Sequence, residues 1–343
     1  MNDQSPNAKK RVTVVDVARR AGVSPGTVSN AISGKRKVDQ ETRRRIDAAI
    51  ADLGYMPNLA ARGMRTGRAN TIAVFSSMPT AVAAGASKLG FLMEVAASAA
   101  EAALQHNMAL VLIPPIEDPA AVFQATPLDG AILLEPASND PVLSLLRARA
   151  VPTVVVGDTG DAGIPCIRLD YRAMGDLLID HLLDAGARSI LLVAGSRARR
   201  SNETFAEVYR ARMARAGLPV RILEVSEINA EAGAEAAIAA EIVGAVPFDG
   251  VLVPIDAMAT GVMAALRAAG LTVPGDVRVV TRYDGLRARS ESPPLTALDL
   301  HLDAVAKAAT AELLSLIEGS SPVSSSLVPA PYLRRRGSST VGD

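Results

Sequence analysis

Aromatic residues are scarce in this chain: they make up 3% of its 343 residues, and tryptophan is absent. Cysteine occurs once, as Cys166, so no disulfide can form within one chain, and we expect a reducing compartment. No uninterrupted apolar run approaches the roughly 18–20 residues that cross a bilayer, and the first residues, MNDQSPNAKK, lack the apolar segment of a secretory signal. These absences predict a cytoplasmic protein without a membrane span.

Signals of catalysis are also missing. There is neither a phosphate-binding P-loop nor a glycine-rich dinucleotide fingerprint, and His106, His181 and His301 do not have metal-ligand spacing. The pattern GVSPG at residues 22–26 matches a hydrolase nucleophile elbow, but that motif follows a buried strand, whereas a helical pattern precedes it here. We therefore expect no metal, no cofactor and no enzyme activity.

Charge is unevenly distributed along the chain. Residues 1–70 contain 14 Lys/Arg and 6 Asp/Glu, a net +8, whereas residues 71–343 contain 22 and 30, a net −8. A basic segment attached to an acidic body is typical of a head that binds a polyanion, although a solvated basic tail would carry the same charge. Because Tyr55 is the only aromatic residue before residue 71, a stacking platform for single strands is not expected, and duplex DNA is the better partner.

Short helices are predicted in the basic head. Thr13 and Asp16 have the spacing of a capping box at the start of the first helix, and Gly22 suits its left-handed end. Ser24 is the expected N-cap of the second helix, and Pro25 takes the first helical position, where its missing N–H is harmless. The tight turn between these two helices predicts a helix-turn-helix.

The second helix has an inner and an outer face. Val28 and Ile32 are expected to point inward, because they are four residues apart on one helical face. A third helix is expected after Asp39. The outer face of the second helix would then carry Pro25, Gly26, Ser29, Asn30 and Ser33.

The segment DVARRAGVSPGTVSNAISGKRKVDQETRRRIDAAIADLGYMPNLAARGMRTGR resembles the DNA-binding head and hinge of the lactose/galactose repressor (LacI) family. The resemblance implies that the second helix lies in the major groove, where the Asn30 carboxamide pairs with adenine. It also implies a short hinge helix that inserts Met64 into the minor groove and folds only on DNA. The DNA-binding residues it implies are Thr13, Ser24, Pro25, Gly26, Thr27, Ser29, Asn30, Tyr55, Asn58, Arg62 and Met64.

Beyond residue 70, strand-like apolar runs alternate with alanine-rich helical patterns, which predicts an α/β fold with parallel sheets. The runs are TIAVF, ALVLI, GAILL, PTVVVG, ILLVAG, VRILEV and GVLVP. The segments LDYRAMGDLLIDHLLDAGARSILLVAG and GVMAALRAAGLTVPGDVRVV are similar to the family's two-lobed, periplasmic-binding-protein-like core, in which a ligand lies between lobes linked by three crossovers. The predicted domains are a disordered tail (1–10), a helix-turn-helix head (11–57), a hinge (58–69) and an effector-binding and dimerisation core (70–343).

The resemblance places six residues at the effector pocket, and four of them replace polar groups that are usual there. Phe205 stands where the family has a ligand-binding arginine, Ile255 replaces an asparagine, and Tyr283 and Gly157 replace acids. These replacements favour a small, relatively apolar or aromatic effector; local repacking, or the absence of any small ligand, would also account for them. The expected pocket residues are Phe91, Gly157, Phe205, Ile255, Asp256 and Tyr283.

Together these features predict a transcriptional regulator, expected to be a repressor that binds a near-palindromic DNA operator. Since no leucine heptad tail follows the core, a homodimer is favoured over a tail-linked tetramer. Two alternatives remain: a small-molecule receptor with a vestigial DNA-binding head, and a regulator that needs no effector and responds to a protein partner. The missing secretory signal and the intact basic head count against the first of these.

Overall fold

A computed structural model describes residues 12–33, 36–55, 68–76, 78, 90–113, 119–161, 163–196, 198–244, 246–320 and 328–340. The chain divides into two compact units, Met1–Ala69 and Asn70–Asp343. The predicted disordered tail and most of the predicted hinge, with Asn58, Arg62 and Met64, lie outside the described residues.

The first unit contains the helices α1 (Val14–Ala21), α2 (Pro25–Ser33) and α3 (Gln40–Leu53). At the start of α1, the Asp16 carboxylate accepts hydrogen bonds from the backbone N–H and the hydroxyl of Thr13, at 2.9 and 2.7 Å. The helix ends at Gly22, whose φ of +66° is left-handed. The predicted start and end of the first helix are therefore confirmed.

The second and third helices also begin at the predicted caps. The Ser24 hydroxyl accepts a hydrogen bond from the Thr27 N–H at 3.1 Å, and the Asp39 carboxylate accepts one from Thr42 at 2.8 Å. Gly54 ends α3 with a φ of +58°. Each cap satisfies backbone groups that the end of a helix leaves without an intrahelical partner.

The three helices enclose a small apolar core. Val17, Val28 and Ile46, one from each helix, are fully buried and belong to the same cluster. The Arg43 guanidinium of α3 donates a hydrogen bond to the Ala31 carbonyl of α2 at 2.8 Å. This bond and the core fix the orientation of α2 within the head.

The second unit contains two sheets. The first is fully parallel, in the order β2-β1-β3-β4-β5. Its strands are β1 (Thr71–Ser76), β2 (Ala109–Ile113), β3 (Gly130–Leu134), β4 (Thr153–Val156) and β5 (Cys166–Ile167). Four helices pack around it: α4 (Phe91–Gln105), α5 (Pro119–Ala125), α6 (Pro141–Ala148) and α12 (Leu302–Glu318). We call this sheet and its helices the first lobe.

The second sheet has the order β11-β10-β9-β8-β6-β7, and β11 is its single antiparallel strand. Its strands are β6 (Ile190–Gly195), β7 (Ile222–Val225), β8 (Gly250–Val253), β9 (Arg278–Tyr283), β10 (Thr296–Asp299) and β11 (Tyr332–Arg334). The helices are α7 (Tyr171–Asp184), α8 (Arg200–Ala216), α9 (Ala230–Glu241), α10 (Asp256–Ala268) and α11 (Leu286–Ser290). This is the second lobe.

The chain passes between the lobes three times, after β5, after β10 and after α12. The second passage brings α12 against β3, where a Cβ on Gly130 would lie only 2.8 Å from Leu313 and 2.9 Å from Ile317. Glycine therefore lets this helix approach the sheet closely. The predicted α/β fold with a helix-turn-helix head and a two-lobed core is confirmed.

Candidate DNA-binding surface and interlobe cleft

The outer face of α2 carries the residues predicted to contact DNA. Pro25 and Gly26 are exposed, whereas Thr27, Ser29 and Asn30 are half-buried. Among the described residues, the side chains of Ser29 and Asn30 have no hydrogen-bond partner. A carboxamide that is not used within the head is available to pair with a base edge.

Pro25 and Gly26 leave the first two positions of α2 without polar side chains. A Cβ on Gly26 would meet only the Ser24 hydroxyl, at an ordinary 3.6 Å, so packing does not require glycine there. Thr27 shares a 2.9 Å hydrogen bond with Ser24, which holds its hydroxyl at the cap. Asn30 is therefore the strongest candidate on this helix for a bidentate base contact.

Thr13 and Tyr55 have structural partners in the head. Thr13 is held by Asp16 at the start of α1, and Tyr55 packs against the head core.

The exposed basic residues Arg36, Lys37 and Arg44 make no ion pair with another described residue. They are available to meet phosphates. DNA contact at each of these positions stays a prediction.

The carboxyl ends of the parallel strands of both lobes meet at one cleft, as in open α/β sheets, where ligands bind at that edge. The cleft contains a cavity of about 30 Å³. The lining residues are Met78, Phe91, Glu135, Arg199, Ser201, Asn202, Glu227, Pro254, Ile255, Asp256, Arg282 and Tyr283.

A buried ion pair lies on the second-lobe side of the cavity. The Arg199 Nε atom is 3.1 Å from Glu227, and the two side chains are only 3% and 1% exposed. The Asn202 amide donates a further hydrogen bond to Glu227 at 2.9 Å. A Cβ on Gly195 would lie 2.5 Å from the Glu227 carboxylate, so this glycine provides the space for the pair.

Charged and polar groups also join the two lobes across the cleft. Arg282 of the second lobe is 3.1 Å from the Glu135 carboxylate of the first, and Arg199 donates to the Glu135 carbonyl. Burial, together with the Glu135 carboxylate to which its hydroxyl is hydrogen-bonded, raises the pKa of Tyr171. These contacts hold Glu135, which is 3% exposed, between two arginines and a tyrosine.

An aromatic pair lies at the same cleft. The rings of Phe91 and Tyr283 meet edge to face with centroids 5.8 Å apart. The Tyr283 hydroxyl donates a hydrogen bond to the Glu94 carboxylate of the first lobe. Burial and that carboxylate raise the pKa of Tyr283, so its hydroxyl remains a donor at neutral pH.

The structure brings four of the six predicted pocket residues together: Phe91, Ile255, Asp256 and Tyr283 line the cavity. Phe205 does not line it. This side chain is 1% exposed and packs in the hydrophobic core, because it lies one turn beyond the residues through which α8 reaches the cleft, Ser201 and Asn202. The structure therefore does not bring Phe205 to the cavity, and its expected effector role stays a prediction.

Gly157 also lies outside the cavity lining. It has a left-handed φ of +120°, and a Cβ there would be 2.8 Å from the Tyr171 hydroxyl. In the structure it makes room for Tyr171, and its expected effector role stays a prediction.

The cavity wall carries five charged side chains beside its apolar and aromatic ones, and the expectation of a relatively apolar effector stays a prediction. Sequence reasoning anticipated Asp256 and Arg282 as polar contacts but missed Glu135, Arg199 and Glu227. A usable signal was present for the first of these, because Glu135 directly follows the strand GAILL. Polar residues at the carboxyl ends of parallel strands are candidates for such a cleft.

Asp256 is the buried acid that the sequence analysis did anticipate. Its carboxylate accepts a 2.9 Å hydrogen bond from the Ala257 N–H at the start of α10. Desolvation raises the pKa of Asp256, and the positive charges of Arg287 and Arg282 oppose that rise. Where folding raises the pKa of an acid, that acid contributes stability to the fold at pH values below its unfolded pKa. The contribution is lost as the pH rises through its folded pKa.

We therefore expect the melting temperature of Asp256→Asn, compared with that of the unmodified protein at the same pH, to rise as the pH is raised from about 4 to about 8. The range begins near 4 because the unfolded pKa of aspartate is about 3.9. Thermal unfolding followed by circular dichroism at a series of pH values measures this difference. Asp276→Asn is the control with the opposite sign, because hydrogen bonds from Thr272 lower the pKa of Asp276. A pH-independent difference for Asp256→Asn would contradict the assignment.

Within the described residues, no helix is long and apolar enough to cross a membrane, and no group of three or more His, Cys, Asp or Glu side chains could hold a metal ion.

His181 is buried and shares a 2.7 Å hydrogen bond with Ser339. Burial raises the pKa of the Cys166 thiol. Both side chains are packed inside the second unit, Cys166 against an apolar cluster of the first lobe.

Comparison with known proteins agrees with this architecture. Residues 13–58 match the family described as bacterial regulatory proteins, lacI family, and residues 179–339 match a periplasmic binding protein-like domain. The chain is 28% identical over 336 residues to the HTH-type transcriptional regulator CelR of Thermobifida fusca, covering 96% of this chain and 99% of CelR. It is 29% identical over 338 residues to the ribose operon repressor of Escherichia coli, covering 95% and 99%.

Among solved structures, the lac repressor dimer bound to operator and the anti-inducer ONPF has the same fold. The TM-score is 0.79 at 23% identity, and the match covers 97% of this chain and 100% of the repressor chain. A helix-turn-helix head joined to a two-lobed core defines a DNA-binding transcriptional regulator with an effector-binding core. The chain is similar to such regulators along nearly its whole length, and its residues 13–58 match the lacI family of bacterial regulatory proteins.

Proposed function

We propose that the protein is a homodimeric repressor that binds a near-palindromic DNA operator through two copies of its head. The observation that carries the proposal is the outer face of α2, where Asn30 has no hydrogen-bond partner among the described residues. A dimer with two-fold symmetry reads two half-sites about one helical turn, or a multiple of it, apart. The lac repressor to which this chain is similar is itself a dimer bound to operator.

The regions of the chain would then have separate roles. Residues 11–57 would read the operator, residues 58–69 would form a hinge that folds on DNA and inserts Met64 into the minor groove, and residues 70–343 would dimerise and bind an effector. The support for the hinge is its resemblance in sequence, including Asn58 and Arg62. Binding and release of DNA account for the presence of the basic head. We therefore propose that the protein is a regulator that acts on chromosomal DNA in the cytoplasm, and not an enzyme.

The effector would bind between the lobes, and the cavity wall defines what suits it. Phe91, Ile255 and Tyr283 offer an apolar and aromatic surface, while Arg282 and Asp256 offer charged groups. An effector with an apolar or aromatic face and at least one charged or strongly polar group matches this wall better than a wholly apolar molecule. Calorimetry of the full-length protein with matched panels of simple sugars and aromatic metabolites tests this class.

The base-reading role of Asn30 has a direct test. We expect Asn30→Ala to cost about 1–3 kcal/mol of binding free energy per half-site on the operator and much less on random duplex DNA, because each head loses a bidentate contact to one base. The operator is first identified by genome-wide footprinting in the host, and binding is then measured by fluorescence anisotropy.

Asn229→Ala is the matched control for this test. Asn229 is exposed in the second lobe, and its side chain does not cap a helix. Its removal should leave both affinities unchanged. An equal loss on operator and random DNA in Asn30→Ala would reduce Asn30 to a positioning residue.

A further inference from the structure

The second sheet ends in a basic edge strand. The strand β11 pairs with β10 on one side and, among the described residues, with no strand on the other. Residues 328–340 contain three arginines and no acid, although residues 71–343 as a whole have a net charge of −8. A strand edge that lacks a neighbour offers its backbone groups to another chain.

A groove of about 650 Å³ follows this edge. It is lined by the six consecutive residues 331–336 and by Leu177 of α7. Successive side chains of a strand point to opposite faces. Because consecutive residues all line the groove, it runs along the edge of the strand and does not cover one face of the sheet. Six residues at about 3.4 Å each span about 20 Å, the length of an ordinary strand.

Apolar surface is exposed along the groove and next to it. Leu177 and Tyr332 are 36% and 57% exposed. A second cavity, of about 230 Å³, adjoins the groove at Pro331. Its apolar lining residues include Leu169, Met174, Leu300 and Val328. It is larger than the cavity of about 150 Å³ that holds a benzene molecule in a protein core, so a side chain of the size of phenylalanine fits.

The groove carries a positive charge that the fold does not neutralise. Its lining contains three arginines and no acidic residue. Arg334 lies 2.9 Å from Asp299. Arg336 lies 2.7 Å from Asp284. Arg335 is exposed and makes no ion pair with another described residue, and its backbone N–H and carbonyl have no backbone partner among them.

We propose that the edge of β11, with its wall on α7, is a docking site for an extended acidic segment of a partner protein. The segment adds to β11 as a further strand, its carboxylates meet Arg335 and the groove rim, and an apolar side chain enters the adjoining cavity. In this mode of recognition, main-chain hydrogen bonds give affinity, and pockets for side chains give specificity.

Charged residues on an edge strand also prevent unspecific pairing, but that function requires neither a groove nor an adjoining apolar cavity. The docking site shares no lining residue with the interlobe cavity. It also lies outside the head that carries α2. The proposal therefore goes beyond the proposed function and does not depend on it.

Fluorescence anisotropy of the full-length protein with labelled peptides tests the site. The probe is the heptapeptide FEVEVEF, capped at both ends, which alternates carboxylates with β-branched residues and has an aromatic side chain at each end. FKVKVKF keeps the pattern and reverses the charge, and FEVEPEF contains a proline, which cannot donate to a ladder. FEVEVEF should bind saturably and about five-fold or more tightly than either control peptide.

Arg335→Glu should weaken binding of FEVEVEF by about five-fold or more, because it reverses the charge that faces the peptide. Arg215→Glu is the matched control: Arg215 on α8 is exposed, makes no ion pair with a described residue and lies outside the groove. Arg44→Gln controls for attraction of the peptide to the basic head. Both controls should leave the affinity unchanged, and circular dichroism establishes that each variant is folded.

Three results would overturn the docking site. One is an affinity for FEVEVEF that Arg335→Glu leaves unchanged, and another is equal binding of FEVEVEF and FEVEPEF, which would indicate attraction between charges without strand addition. The third is a loss of affinity for random duplex DNA in Arg335→Glu when no peptide binds, which would assign the arginine to nucleic acid. None of these results bears on base reading by Asn30, so failure of the docking site and failure of the proposed function are distinguishable.

Discussion

Replacement of Glu227 by alanine is expected to lower the free energy of unfolding by about 3–5 kcal/mol, because it leaves the buried Arg199 guanidinium without its counter-charge. Both side chains are almost fully buried, at 3% and 1% exposure, so water cannot replace the lost carboxylate. Urea denaturation of the full-length protein, followed by circular dichroism, measures the change.

A second Arg–Glu pair in the same lobe provides the control. Arg200 and Glu203 are 2.9 Å apart, but their side chains are 41% and 39% exposed. Glu203→Ala should change stability by no more than about 1 kcal/mol, because water solvates the remaining arginine. Similar losses of unfolding free energy in Glu227→Ala and Glu203→Ala would show that burial does not determine how much an Arg–Glu pair contributes to stability.

The double variant Arg199→Met/Glu227→Leu removes both charges of the pair but keeps side chains of similar volume. Replacing both partners of a buried pair with apolar residues of similar size is often neutral or stabilising. We therefore expect this variant to recover most of the stability lost in Glu227→Ala. A loss as large as that of the single variant would contradict an electrostatic origin.

Operator affinity is expected to fall steeply with salt, with a log–log slope of about −0.9 for each phosphate neutralised. The first 70 residues have a net charge of +8, and Arg36, Lys37 and Arg44 are exposed without an ion pair among the described residues. If a dimer meets six to ten phosphates, affinity should fall by about 10³–10⁵ between 50 and 200 mM salt. Fluorescence anisotropy across this range measures the slope.

Because both heads of the dimer carry the substitution, Arg44→Gln should reduce the magnitude of the slope by about two if Arg44 meets a phosphate. The melting temperature of the protein without DNA, recorded over the same salt series, controls for an effect on folding. A slope near zero would exclude binding through phosphate contacts. A normal slope that Arg44→Gln leaves unchanged would instead remove Arg44 from the interface.

Several features of the fold could be predicted because their causes are local. Ser24, Pro25 and Gly22 determine where helices begin and end through caps within a few residues of one another. Each of the seven apolar runs quoted from the core overlaps a strand of the structure. The sequence analysis did not identify the other four strands: β9, and the strands β5, β10 and β11, which are only two to four residues long.

The prediction of the cleft was partial for a physical reason. Ile255, Asp256 and Tyr283 were anticipated because they lie at or just beyond strand ends that the resemblance aligned. Phe205 does not line the cavity because it lies one turn beyond Ser201, on the same face of α8 but away from the cleft, where it packs in the core. Alignment gives a position along a helix, but packing decides which turn of that helix meets the cavity and which meets the core.

The amino-acid sequence by itself determined the helix-turn-helix head, the α/β pattern of the core and the charge asymmetry between them, because periodicity, caps and charge act over a few residues. Only the tertiary structure decided that Glu135 meets Arg282 and that Arg199 meets Glu227, at separations of 147 and 28 residues. Burial of a charge is tolerated only where a partner of opposite charge arrives in the right geometry. That geometry depends on how strands distant in the chain order themselves in two sheets, which no local pattern encodes.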